Sequence, residues 1–276
     1  MQLNSHLNIV AGHKHDKSFL KSAYHKQPFK LADITEDKSG NALRLMITSS
    51  SPGVLDNDEY FIEILVEENA CLHLTTQGYQ RLFTMSNKAS QRLDLRLDNN
   101  ASCYFLPHPN VPHALSNFSA INNIHLQAVH NLIWSEVITC GRKLSGEEFQ
   151  FTKYHNVTNI FVEQKLVVKE NVFLQPATMD VASLGQLEGY THQSTLIFLN
   201  NYVNMQEIAN VAETLLSGKD DLIFGISLLP VNGLIFRQLG YKAEQLFNNN
   251  NRLAQLIEQL VDQHHTRKTI ADSAAK

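Results

Sequence analysis

Leu93-Asp94-Leu95-Arg96-Leu97-Asp98 alternates leucine with charge over six residues. Successive side chains of a strand point to opposite faces, so this stretch is a half-buried β-strand, apolar on one side and charged on the other. The same period of two extends outward on both sides. Phe61-Ile62-Glu63-Ile64-Leu65-Val66 and Leu72-His73-Leu74-Thr75 precede it. Cys103-Tyr104-Phe105-Leu106, Ile124-His125-Leu126, Leu132-Ile133-Trp134, Asn159-Ile160-Phe161-Val162 and Asn171-Val172-Phe173-Leu174 follow. Short strands separated by Asn, Asp, Gly and Pro predict a mainly β chain, either a sandwich or a solenoid. Asn69, Asn100 and Asn131 each open a strand, and they are evenly spaced (100 − 69 = 31 and 131 − 100 = 31). Asparagine tolerates the left-handed turn conformation, so it can recur at equivalent corners of stacked coils. The expectation is a stacked, β-helix-like sheet scaffold, one domain over residues 1–276.

Two later segments have helical periodicity. Met205, Ile208, Ala209, Ala212 and Leu215 share one helix face, with Asn204 and Glu207 as a capping box and Gly218 as the stop. Leu246, Phe247, Leu253, Leu256, Ile257 and Leu260 form a second face. Helices are therefore expected at about 204–217 and 242–262. Asn248 to Asn251 are poor helix formers, so a frayed or interrupted helix is expected there. The polar residues 264–276 are expected to be a disordered tail.

Composition narrows the function classes. Hydrophobic residues make up 43% of the 276 and charged residues 18%, enough apolar material for a sizeable core. The net charge of −4 predicts neither a nucleic-acid partner nor an anionic membrane surface. Cys71, Cys103 and Cys140 are odd in number and lack paired spacing, which argues against a disulfide framework and for a reducing compartment. Met1 to Lys17 contains no apolar run with a cleavage site, so a cytoplasmic location is expected.

No Walker loop, GxGxxG, GxSxG or HExxH occurs, and no catalytic residue is expected. Four local features stand out. Ser51-Pro52-Gly53-Val54-Leu55-Asp56-Asn57-Asp58 is turn-rich and carries carboxylates before a strand. Leu74-Thr75-Thr76-Gln77 ends an apolar strand in polar side chains. Leu106-Pro107-His108-Pro109 leads to His113, and imidazoles five apart suit nickel or zinc if other ligands join them. Ser135-Glu136 lies inside an apolar run and is followed by Gly141-Arg142 and Gly146-Glu147. A buried carboxylate needs a partner, and Arg142 is the nearest cation in sequence.

In order and spacing these features resemble the UreD (UreH) family of urease accessory proteins. Gly146-Glu147-Glu148-Phe149, Gly189-Tyr190, Gly225-Ile226-Ser227-Leu228-Leu229, Gly233, Arg237 and Leu239-Gly240 extend the likeness, which runs from about residue 24 to about 262. One departure is that the first motif has Gly53 alone where many members carry several glycines, which leaves Asp56 and Asp58 as rivals for the family's aspartate. Asp58 directly precedes the strand. The resemblance implies a chaperone for nickel insertion that is not itself an enzyme. It also implies stacked β-sheets with two helices toward the C-terminus, and partnership with UreF, with the GTPase UreG through UreF, and with the urease apoprotein. No cofactor is expected to bind tightly. Nickel would pass transiently, along an internal path whose candidate residues are Asp58, Thr75, Gln77, Glu136, Arg142 and Glu147. Two alternatives remain: a pure interaction scaffold with no nickel path, and a metal-dependent hydrolase on a β scaffold.

Overall fold

The computed structural model describes the backbone of residues 4–37 and 40–274, and side chains as far as residue 264. The chain opens with β1 (Asn4–Lys14), β2 (Lys17–His25), β3 (Phe29–Asp33) and β4 (Leu43–Ser49). It continues through β5 (Glu59–Val66), β6 (Cys71–Thr76), β7 (Gln80–Leu82), β8 (Ala89–Leu97), β9 (Ala101–Leu106) and β10 (Asn110–Pro112). Next come β11 (Asn117–Leu126), β12 (His130–Thr139), β13 (Lys153–Val162), β14 (Lys165–Leu174) and β15 (His192–Asn200). Helix α1 (Met205–Leu216), β16 (Leu222–Leu228), β17 (Gly233–Gly240) and helix α2 (Ala243–Ala274) complete it.

The strands form two sheets. Sheet A has the order β14-β13-β11-β8-β5-β1-β2, and the longer sheet B runs β16-β17-β15-β12-β9-β6-β4-β3. In the middle of the chain successive strands alternate between sheets, and each pairs in parallel with the strand one coil earlier: β5 with β8, β8 with β11, β6 with β9, β9 with β12. This is the β-helix-like stack, closed by antiparallel strands at both ends.

The asparagine repeat marks two of its corners. Asn69 and Asn100 have φ of 64° and 59°, and Asn100 Nδ2 donates to Asn69 Oδ1 at 2.7 Å. Asn131 does not make the third corner. Ser102 pairs with Cys71 on one side and Asn131 on the other, so the next coil is two residues shorter (131 − 102 = 29 against 102 − 71 = 31). That shift carries Asn131 into β12, where its buried amide donates to Tyr104 Oη at 2.7 Å.

Alternation sets the core. Ile9, Ile64, Leu95, Ile124 and Ile160 of sheet A face Leu45, Leu72, Leu74, Cys103 and Leu132 of sheet B. The other side of sheet B, with Ile133, Leu196, Phe198, Leu234 and Phe236, packs on Ile208 and Ala212 of α1 and Leu253 and Ile257 of α2. Strand β12 is thus covered on both faces, which is why Leu132 to Ile138 reads as a nearly unbroken apolar run.

Asn204 caps α1, accepting from Gln206 N at 2.9 Å. Helix α2 is not interrupted at the asparagines. Asn249 and Asn250 are buried, and Asn250 joins Ser135 Oγ (2.9 Å) to Gln238 Nε2 (2.8 Å), while Asn249 Nδ2 donates to Gln238 Oε1 (2.7 Å). Side-chain bonds to the sheet outweigh a propensity deficit of well under 1 kcal/mol per residue. The helix continues to Ala274, past the expected end at 262. Of the expected disordered tail, the side chains from 265 onward and all of residues 275–276 lie outside the described residues. Among the described residues no helix is long and apolar enough to cross a membrane.

Leu95 is completely buried between the sheets. Leu95→Ala is expected to lower unfolding free energy by about 2–5 kcal/mol in denaturant titration. Asn250→Ala, which strands the hydroxyl of Ser135 and removes an acceptor from Gln238, is expected to cost roughly 1–3 kcal/mol in the same assay.

Candidate functional site

The inner face of sheet A changes character along its strands. In register, Ile64, Leu95, Ile124 and Ile160 form an apolar row. Two residues earlier on each strand stand Ile62, Leu93, Asn122 and Thr158, and two earlier again Tyr60, Gln91, Ala120 and Asn156. One end of the interior is dry and the other polar. The polar end holds a cavity of about 490 Å³. Phe105 and Trp134 line it from sheet B, and its mouth lies at Ser51-Pro52-Gly53 and Gln77-Gly78-Tyr79.

Glu136 is the only carboxylate in the described cavity wall. Its Oε1 accepts from Trp134 Nε1 (2.7 Å) and Thr158 Oγ1 (2.6 Å), with a longer contact from Asn122 Nδ2 (3.3 Å). Its Oε2 accepts from Asn156 Nδ2 (2.7 Å). Asn122 secures the set by donating to Thr158 Oγ1 (2.9 Å) and Asn156 Oδ1 (3.0 Å). All these partners are neutral. Burial pushes the Glu136 carboxyl above the usual range, the hydrogen bonds pull it back, and the nearby negative charge of Glu170 adds to the rise. A carboxylate oxygen has about two acceptor sites, so Oε2 keeps one open. A second, small void behind Glu136 is lined by Asn156, Gln193 and Thr195. Glu170 and Arg237 bridge the two sheets at this end, with contacts of 2.6 and 2.7 Å.

The candidate path residues divide. Gln77 and Glu136 line the cavity. Asp58 is buried outside that wall, accepting from Leu55 N (2.8 Å) and Tyr60 Oη (3.0 Å). It shapes the turn that seats Tyr60 in the cavity wall. Asp56 instead binds Asn87 N at 2.9 Å on the surface. Gly53 is required in this motif because a Cβ would meet the Arg81 carbonyl at 2.3 Å. Thr75 lies on the opposite face of β6 from Leu74 and donates to the Leu106 carbonyl (2.8 Å); its neighbour Thr76 is the residue that lines the cavity.

Arg142 is not the partner of Glu136. It forks onto both oxygens of Glu147, Nε to Oε2 at 2.9 Å and Nη2 to Oε1, and Glu147 also accepts from Ala114 N at 3.2 Å. Gly141 and Gly146, with φ of 126° and 77°, turn the chain back so that this pair closes a surface loop. Arg142 borders a separate open cleft of about 1050 Å³. His113 lines that cleft, whereas His108 lines the first cavity, bonded to Thr76 Oγ1 (3.2 Å) and stacked on Phe247. Burial lowers the pKa of both imidazoles. Among the described residues no group of three or more His, Cys, Asp or Glu could hold a metal ion, so neither histidine belongs to a closed ligand set.

Trp134, Asn122, Asn156, Thr158 and Gln91 were not legible as site residues from motifs. A signal existed: each is polar or amphipathic and in phase with the buried leucines and isoleucines of its own strand.

Comparison with known proteins agrees with this arrangement of motifs. Residues 4–271 match the family model of the UreD urease accessory protein. The chain is 46% identical over 243 residues to the urease accessory protein UreD of Flavobacterium johnsoniae, covering 88% of each. It is 31% identical over 243 residues to that of Acetivibrio thermocellus, covering 88% of this chain and 92% of the relative. With that of Haemophilus influenzae strain PittEE it shares 32% over 254 residues, covering 88% and 94%. With a family match over nearly its whole length, the chain belongs to the UreD family of urease accessory proteins.

Proposed function

We propose that this chain is a non-catalytic scaffold for urease maturation that takes nickel into the cavity between its sheets and passes it on, in a cytoplasmic complex with UreF, UreG and the urease apoprotein. One observation carries the reading. A single carboxylate faces an internal cavity with no cation bonded to it, held by neutral donors and with one acceptor site open; Arg81, also in the wall, is exposed to solvent. An acid in an ion pair would be spent on structure; this one leaves its charge available to a visiting cation. One carboxylate holds a divalent ion weakly, which suits transfer better than storage.

Glu136→Gln removes the charge and keeps the shape. The complex with UreF, UreG and urease is expected to survive size exclusion, with nickel per urease active site reduced several-fold. An intact complex with normal nickel content would favour the pure interaction scaffold. The Arg142–Glu147 pair stands apart from the cavity, so Glu147→Gln is expected to leave nickel content unchanged.

The raised Glu136 pKa fixes a pH dependence. Between the ordinary glutamate value of about 4.3 and the raised one, the folded state binds more protons than the unfolded state. This group's contribution is therefore full below the ordinary range and is lost as pH rises through the raised value. The melting temperature of the wild type minus that of Glu136→Gln is expected to fall as pH increases from 4 to 8. A difference that stays flat or grows would show that burial does not disfavour the Glu136 charge.

A further inference from the structure

The form in which a cation occupies the cavity follows from its walls. Its polar lining includes six carboxamides, Gln77, Gln80, Gln91, Asn110, Asn122 and Asn156, and its charged residues are Glu136 and the solvent-exposed Arg81. They are tied to one another and to the frame. Gln80 Nε2 donates to Gln91 Oε1 (3.3 Å), Asn110 Nδ2 to Tyr154 Oη (3.3 Å), and Asn122 Nδ2 to Asn156 Oδ1 (3.0 Å). Each amide oxygen has two lone pairs, so even the bonded ones retain an acceptor site. Water bound to a divalent ion turns its hydrogens outward and needs acceptors around it. Stripping that water requires several anionic or imidazole ligands at once. The cavity offers one open lone pair on Glu136 and at most one imidazole nitrogen, Nε2 of His108, whose Nδ1 is bonded to Thr76 Oγ1; two such ligands are too few to strip the shell. No cluster of three ligating side chains exists among the described residues. Space is not limiting: at ~30 Å³ per water, an ion with six waters needs roughly 200 Å³, and the cavity has about 490 Å³.

We propose that the cavity takes its divalent cation as the aqua ion, held through its water shell by the carboxamides and by Glu136 Oε2, with no side chain entering the coordination sphere. This rests on the nickel-passage reading and specifies the cargo's chemical form. It has a sharp consequence for selectivity. Sites that coordinate directly through N, O or S follow the Irving–Williams order, and magnesium gives up its waters reluctantly. A site that touches only the water shell sees ions of equal charge and similar size, and cannot rank nickel above magnesium.

Trp134 is the chain's one tryptophan, and it donates to Glu136. Its fluorescence is therefore a probe inside the cavity, and paramagnetic nickel quenches at short range. The experiment titrates nickel chloride into the purified full-length chain, then adds magnesium chloride, which does not quench. The expected result is saturable quenching, reversed by magnesium with an apparent affinity within about threefold of nickel's. Gln91→Leu, remote from the Glu136 hydrogen bonds, is expected to weaken both ions alike by roughly 2- to 10-fold, the worth of one hydrogen bond. Saturable quenching that survives a hundredfold excess of magnesium would overturn the aqua-ion proposal and leave the passage intact. Quenching that does not saturate, or that neither Gln91→Leu nor Glu136→Gln alters, would overturn the passage itself and the proposal with it.

Discussion

A carboxylate placed between two β-sheets has to be solvated by something, and at Glu136 no cation does it. Water-like solvation comes from three neutral donors, Trp134 on its own strand and Asn156 and Thr158 on β13 of the facing sheet, with a longer contact from Asn122 on β11. This constraint propagates. Asn156 and Thr158 must sit in register on β13 to reach it, and Asn122 must stand beside them on β11 to orient both. A row of amides and hydroxyls cannot pack as leucines do, so the interior opens there into a cavity, while the leucine and isoleucine end of the same strands closes tightly. The polar half of the interior and the dry half are parts of one coil stack whose side-chain chemistry changes along the strand axis.

The strand carrying Glu136 is held from behind by a second polar network. Ser135, the preceding residue, points the other way and accepts from Asn250 of α2. Alternation along β12 thus divides a Ser-Glu pair between two tasks: one side chain fixes the helix to the sheet, the next faces the cavity. Asn249 and Asn250 extend that fixation to Gln238 on β17. Fixing the back of β12 holds Glu136 in place at the cavity wall.

The motifs nearest the surface serve the cavity mouth and the loops around it. Gly53 lets Val54 approach the Arg81 backbone, Asp58 tightens the turn leading to Tyr60, and Thr76 receives the backbone and ring of His108. Of the charged candidates, Arg142 and Glu147 satisfy each other on a glycine-hinged loop. Proximity in sequence suggests an Arg142–Glu136 pair, but three residues of strand, Val137 to Thr139, and a tight turn separate their directions.

Period-two alternation was local enough to be read directly. It assigned the strands and their buried faces from Phe61 to Leu174, and the helical spacing of Met205 to Leu215 placed α1. The equal spacing of the asparagines suggested stacked coils, and two of the three corners conform. Those features depend on neighbours a few residues away, which a sequence displays. Which buried residues meet across the two sheets depends on register between strands some thirty residues apart, and a coil two residues shorter is enough to move Asn131 from a corner into a strand. Pairing of Glu136 with Asn156 and Thr158 rather than Arg142, insertion of the Asn248–Asn251 run into a helix, and separation of His108 from His113 into different cavities were therefore decided only by the tertiary structure, because each is set by which strand lies opposite and not by what lies next along the chain.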